Sequence, residues 1–191
     1  MGHTYIHDTN HLKDLKDAVN HLHKHSPWRQ GHDLHNAPHV LIVDDDVESI
    51  QPLLVVLHNF GFEVTVAFDG QEGLKKISKE KFDLVFLDIN MPGLNGVEVL
   101  GKIQDIQLKN LRSCKRWPRV PVITYSSRDI TELNIPKEQG FIHEGHWQKP
   151  VTIPDLTTLT GMVVNQLKLH LPKVPVETPV NTTDGNEGGS L

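Results

Sequence analysis

The sequence predicts an α/β domain in which helices cover both faces of a parallel sheet. Short apolar runs of strand character alternate strictly with segments whose apolar residues recur at helical spacing. That order calls for parallel strands joined by right-handed crossovers. Three of the runs also stop abruptly in acids or hydroxyls: 40–43 before Asp44-Asp45-Asp46, 84–87 before Asp88, and 120–125 before Ser126-Ser127. A further segment stops in Lys149-Pro150. Open α/β sheets gather ligands at the carboxyl ends of their strands, so these ends are expected to share one polar pocket.

Taken in order, the strand at 39–43 leads into a helix whose Ile50, Leu53, Leu54, Leu57 and Phe60 share one face. Asp46 is expected to cap that helix. Pro52 is read near its start, where a missing donor does least harm, and Gly61 as its stop. Residues 63–67 alternate as a short strand. Asp69-Gly70 opens a helix carrying Leu74 and Ile77. The buried strand at 83–87 follows, and its Asp88 precedes a cluster of turn formers, Asn90, Pro92, Gly93, Asn95 and Gly96. Asn95 or Gly96 opens a third helix with Val97, Leu100 and Ile103. A polar connection, 107–119, holds Cys114 and Trp117. After the strand at 120–125, Asp129 is an N-cap, and Ile135-Pro136 should truncate the helix that begins there. Residues 141–148 are the faintest strand. A last helix, 153–170, carries Leu156, Leu159, Val163 and Leu167.

Flanking segments differ in composition. Of 13 histidines, nine fall in the first 39 residues. In the extension 1–37, Leu12, Leu15, Val19 and Leu22 form one narrow apolar stripe behind Asp8 or Thr9, expected to dock on the main domain or pair with a second copy. His21 with His25, or His7 with His11, sits one helical turn apart and could share a metal ion. Residues 172–191 are rich in Pro and Gly and are expected to be disordered. A net charge of -5 does not favour nucleic acid. With one cysteine, Cys114, and no apolar run of membrane-spanning length, a cytoplasmic protein is expected.

Residues 38–171 resemble the receiver domain of two-component response regulators. The likeness is carried by Leu41-Ile42-Val43-Asp44-Asp45, by Asp88 with Met91-Pro92-Gly93 and Gly96, by Pro121-Val122-Ile123-Thr124-Tyr125 with the hydroxyl that follows, and by Lys149-Pro150. It implies a flavodoxin-like doubly wound sheet of five parallel strands in the order 2-1-3-4-5. It implies that Asp88 is the phosphoacceptor and that Ser126 and Lys149 bond the phosphoryl group. Asp45, Asp44, Asp88 and the backbone carbonyl of Asn90 would hold Mg²⁺ or Mn²⁺. Ser126 and His146 would form the switch, and Lys149-Pro150 would be cis. Arg128, at the pocket mouth, could slow water or recruit a phosphate.

Elementary electrostatics points the same way. Three close carboxylates repel, which raises at least one pKa, and a hard dication relieves that repulsion. The expected protein is a stand-alone receiver. Its phosphoryl donor would be a histidine kinase or phosphotransfer protein, and it would signal to an unidentified protein target, with a homodimer as one form. The alternatives are a receiver-like binding module that takes no phosphate and a metal-responsive His-rich adaptor. An aspartate-dependent phosphatase of the haloacid dehalogenase type fits poorly, because Glu48 stands where Thr or Val is needed and Asp88 has no role.

Overall fold

The computed structural model describes residues 37–112, 119–133, 135 and 142–171. The expected N-terminal helix, the histidine pairs, Cys114, Trp117, Pro136 and the 172–191 tail lie outside the described residues.

The chain runs β1 (His39–Val43), α1 (Val47–Asn59), β2 (Glu63–Ala67), α2 (Gly70–Lys79), β3 (Leu84–Leu87), α3 (Gly96–Arg112), β4 (Val122–Ser126), a single 3₁₀ turn (Ile130–Glu132), β5 (His143–Gln148) and α4 (Ile153–Leu167). All the strands pair in parallel, in the order β2-β1-β3-β4-β5. This is the flavodoxin-like arrangement expected.

Successive strand residues point to opposite faces, and the core divides accordingly. Val40, Ile42, Leu84, Phe86 and Ile123 pack with Ile50, Leu53 and Leu57 of α1 and Leu156 of α4. Leu41, Val43, Val85, Leu87 and Val122 pack with Ile77 of α2 and Val99, Leu100 and Ile103 of α3. Each fully buried Leu or Ile contributes about 2 kcal/mol.

Caps fix where the helices start. Asp46 accepts from the N–H groups of Glu48 and Ser49, and Asp69 from Glu72. Asn95 and Glu98 form a reciprocal capping box at α3: the Glu98 N–H donates to Asn95 Oδ1 at 3.0 Å and the Asn95 N–H to Glu98 Oε2 at 3.2 Å. Gly61, with φ of +84°, ends α1 in the left-handed conformation that glycine tolerates.

Four expectations need correction. The third helix does not give way to a polar connection at Gln107 but continues to Arg112. Gln107 is buried because its side-chain amide pairs with the backbone of Val120, donating to the carbonyl at 3.1 Å and accepting from the N–H at 3.3 Å. The inward residues of α3 are Val99, Leu100 and Ile103, while Val97 is only half-buried. Pro52 is the sixth residue of α1, not a first-turn proline, so the helix forgoes the bond to the Glu48 carbonyl. The last helix stops at Leu167, where Lys168 turns left-handed with φ of +53°. As expected, Asp129 caps only a short turn, Ile130–Glu132. Among the described residues, no helix is long and apolar enough to cross a membrane.

Candidate functional site

Strand register brings the site together. Val43 of β1 lies opposite Leu87 of β3, so the next residues, Asp44 and Asp88, leave neighbouring strand ends side by side. The Asp88 N–H donates to the Val43 carbonyl at 2.8 Å and locks that relation. On the other flank Ser126 of β4 pairs with Gln148 of β5, and the N–H of the following residue, Lys149, donates to the Ser126 carbonyl at 2.8 Å. The Lys149-Pro150 peptide is cis. Residues from both ends of the domain thus meet at one edge of the sheet.

The acidic trio is compact. Ligand oxygens of Asp44, Asp45 and Asp88 lie within 4.8 Å of one another. Asp44 is 1% exposed and Asp88 6%, an unusual degree of burial for carboxylates. The Lys149 ammonium donates to Asp44 Oδ2 at 2.6 Å and lies 3.7 Å from Asp88 Oδ1. The Asn90 N–H donates to Asp88 Oδ2 at 3.1 Å, and the Asp46 N–H to Asp44 Oδ1 at 2.9 Å. Gly96 is required beside this group, since a β-carbon there would overlap the Asp88 carbonyl oxygen and sit 2.7 Å from Ile89 Cα.

Burial, more than repulsion, sets the acidity. The Asp44 carboxyl is pushed up to about 6, first by burial; Lys149 opposes the rise, and Asp88 adds to it. Asp45 is also raised, by burial first and then by Asp88 and Asp46. Repulsion between the carboxylates, expected from the sequence, acts in the same direction as burial but is the lesser cause. Tyr125, whose ring lies under the Lys149 ammonium at 4.9 Å, is pushed up to about 12 by burial and then by Asp44.

The expected switch residues sit beside the trio. Ser126 is fully buried at the end of β4, and its hydroxyl accepts a long bond from the Arg128 N–H at 3.5 Å. His146 joins two parts of the same region: Nδ1 lies 2.8 Å from Thr124 Oγ1, and Nε2 lies 2.8 Å from the Arg128 carbonyl. A carbonyl only accepts, so Nε2 carries the proton. His143 Nε2 lies 3.1 Å from the same Thr124 hydroxyl, and burial lowers its pKa. The Arg128 guanidinium is turned toward Glu132, 3.6 Å from its carboxylate and 3.1 Å from its carbonyl. The Asn90 side-chain amide donates to the Ser127 hydroxyl at 3.2 Å, a link between the loops after β3 and β4.

Ser49 is a site residue that the sequence reading passed over. It lies in the first turn of α1, and its hydroxyl accepts from Lys149 at 3.0 Å. Helical spacing gave no hint, because position 49 falls beside the apolar stripe. The available signal was its place five residues after Asp44.

Three hard carboxylate donors in one small space, two with raised pKa values, fit a divalent cation of the Mg²⁺ type. The comparisons agree with this arrangement. The model of the response regulator receiver domain matches residues 40–159. The transcriptional activator protein PfeR of Pseudomonas aeruginosa is 30% identical over 153 residues, which is 79% of this chain and 43% of PfeR. The transcriptional regulatory protein GlrR of Escherichia coli is 37% identical over 107 residues, 56% of this chain and 22% of GlrR. The chain therefore spans less than half the length of these relatives.

Among solved structures, the CheY-like receiver domain protein of Methanospirillum hungatei superposes with a TM-score of 0.53 at 25% identity, over 69% of this chain and 97% of that one. The response regulator TrrA of Thermotoga maritima, solved in complex with Mg²⁺ and BeF, gives 0.51 at 25% identity over 68% and 98%. Fold, acidic strand ends and family match together show that this chain belongs to the response regulator receiver domain family of two-component signalling.

Proposed function

We propose that the protein accepts a phosphoryl group on Asp88 from a phosphohistidine donor and passes the signal on by a conformational change. The observation that carries this reading is the meeting of Asp44, Asp45, Asp88 and Lys149 at one sheet edge, from segments over 100 residues apart.

An Asp88 carboxylate oxygen forms the new O–P bond while the donor's N–P bond breaks, and the leaving imidazole retains its electron pair. Asp44, Asp45, Asp88 and the Asn90 carbonyl are the groups that would hold the cation. When bound, Mg²⁺ or Mn²⁺ offsets the repulsion between the carboxylates and the incoming phosphoryl group. Lys149 already lies beside both Asp44 and Asp88, so its ammonium is within reach of a phosphoryl group carried on Asp88. Among the described residues, the Ser126 hydroxyl accepts one long bond at rest, from the Arg128 N–H, and its proton is available to the phosphoryl oxygens. Drawing Ser126 inward would pull Arg128, whose carbonyl His146 holds.

The histidine kinase donor is supported by family membership. The output partner is not identified, and the relatives named above are transcriptional regulators, so contact with DNA through another part of a longer protein is compatible with this reading. The stand-alone form expected from the sequence stands against relatives in which the matched segment is a minority of the chain.

The test is incubation with radiolabelled acetyl phosphate and Mg²⁺. Wild type takes up acid-stable, base-labile label, and Asp88→Asn takes up none. Equal label on both proteins defeats the assignment of Asp88. No label on either leaves the unphosphorylated binding module as the better reading.

A further inference from the structure

We infer that Ser49 is a positioning residue that holds the Lys149 ammonium on the Asp44 side of the pocket while Asp88 is unphosphorylated; this rests on Asp88 being the phosphoacceptor.

A serine hydroxyl has one proton to donate. The nearest acceptor for Ser49 Oγ is the Asp46 carbonyl at 2.9 Å, ahead of the Asp44 carboxylate oxygens at 3.4 and 3.5 Å. Its lone pairs are then open, and Lys149 Nζ sits 3.0 Å away. The ammonium has three protons. One goes to Asp44 Oδ2 at 2.6 Å and one to Ser49 Oγ. Asp88 Oδ1, at 3.7 Å, is beyond hydrogen-bond range. The Tyr125 ring, 4.9 Å from Nζ, backs the same position. Among the described residues, the hydrogen-bond acceptors and the ring that hold the ammonium at rest come from the end of β1, from α1 and from β4, whereas Asp88 meets it only as an ion pair at 3.7 Å.

Family membership alone does not account for this serine. Lys149 and Asp44 would pair without it. What Ser49 adds is a second acceptor that opposes movement of Nζ toward Asp88. A phosphoryl group on Asp88 presents new acceptors on that side, and the ammonium must give up or stretch its bond to Ser49 to reach them. Ser49 therefore stabilises the resting arrangement selectively, and its removal favours the phosphorylated one.

The test compares the full chain with Ser49→Ala and Ser49→Thr. The first readout is the Lys149 ammonium resonance in ¹H–¹⁵N spectra of the unphosphorylated protein without Mg²⁺, assigned by its loss in Lys149→Met. It is sharp in wild type and Ser49→Thr, and exchange-broadened and shifted in Ser49→Ala. The second is titration with beryllofluoride in the presence of Mg²⁺. Ser49→Ala binds about three- to tenfold more tightly than wild type, the range set by one hydrogen bond of ordinary net strength, and Ser49→Thr returns to the wild-type affinity. An unchanged Lys149 resonance in Ser49→Ala overturns the inference, as does equal beryllofluoride affinity in all three proteins. If wild type binds no beryllofluoride, the phosphoacceptor reading falls, and the ammonium spectrum still decides whether Ser49 holds Lys149.

Discussion

Replacing Lys149 by methionine should destabilise the protein in a way that depends sharply on pH. The Asp44 side chain is 1% exposed, and Lys149, 13% exposed, is the cation against it at 2.6 Å. Even with Lys149 present, burial holds the Asp44 carboxyl at about 6, above its ordinary 3.8. A folded-state pKa raised in this way means the folded protein binds the proton more tightly than the unfolded chain. Stability is then greatest below about pH 4 and is lost as pH rises through about 6. A rise of roughly two units, at about 1.4 kcal/mol per unit, makes ionised Asp44 a burden of about 3 kcal/mol at neutral pH. Lys149 supplies both of the largest opposing effects, so Lys149→Met should raise the pKa further. Without Lys149, Asp44 takes up a proton rather than stay charged, which caps the added cost near pH 7.5 at about 2 kcal/mol. With the lost packing, the expected deficit there is about 3 kcal/mol, at the low end for breaking a buried pair. Near pH 5 Asp44 is mostly protonated in both proteins, and the deficit should fall to about 1 kcal/mol, the loss of stem packing. Urea unfolding with EDTA at both pH values measures it. A deficit that is equal at the two pH values, or absent near pH 7.5, would show that Lys149 does not offset the buried Asp44 charge.

Two further outcomes follow from the same geometry. Mg²⁺ affinity should weaken about tenfold between about pH 7.5 and about pH 5, because Asp44 is then only about one-tenth ionised; calorimetric titration showing a flat profile would contradict this. Gly96→Ala should cost about 2 kcal/mol or more and weaken Mg²⁺ binding, since the overlap is with backbone beside Asp88 and Ile89. Gly145→Ala, with open space around its β-carbon position, should melt within a few degrees of wild type and serves as the control.

What the sequence disclosed and what it hid divide along physical lines. Strand ends were legible because an apolar run that stops in a carboxylate marks both the end of burial and the start of a polar edge. Asp44 and Asp88 fell out of that pattern, Ser126 ended a similar run in a hydroxyl, and Lys149, behind the faintest strand, took its role from the family resemblance. Their meeting depended on strand order, which the family resemblance supplied and the register of β1 with β3 and of β4 with β5 bears out. Gln107 misled because a polar residue at the end of an apolar stripe reads as a helix terminus, whereas here it serves the backbone of Val120. Ser49 was hidden for a different reason. Its partner lies 100 residues away, and no periodicity records a contact between a helix's first turn and the far end of a sheet. The Arg128 guanidinium, expected at the pocket mouth, forms an exposed ion pair with Glu132 one turn on, a contact that helical spacing could have shown.

The ends of β1, β3 and β5 should lie around one bound cation. Adding Mn²⁺ in small steps to the ¹⁵N-labelled protein puts this to the test, because paramagnetic broadening reports nearness to the ion itself. Broadening should begin together at the amides of Asp44, Asp45, Asp88 and Asn90, extend to Lys149, and reverse on adding excess Mg²⁺. Broadening that spares any one of those three strand ends, or that Mg²⁺ fails to reverse, would contradict the account.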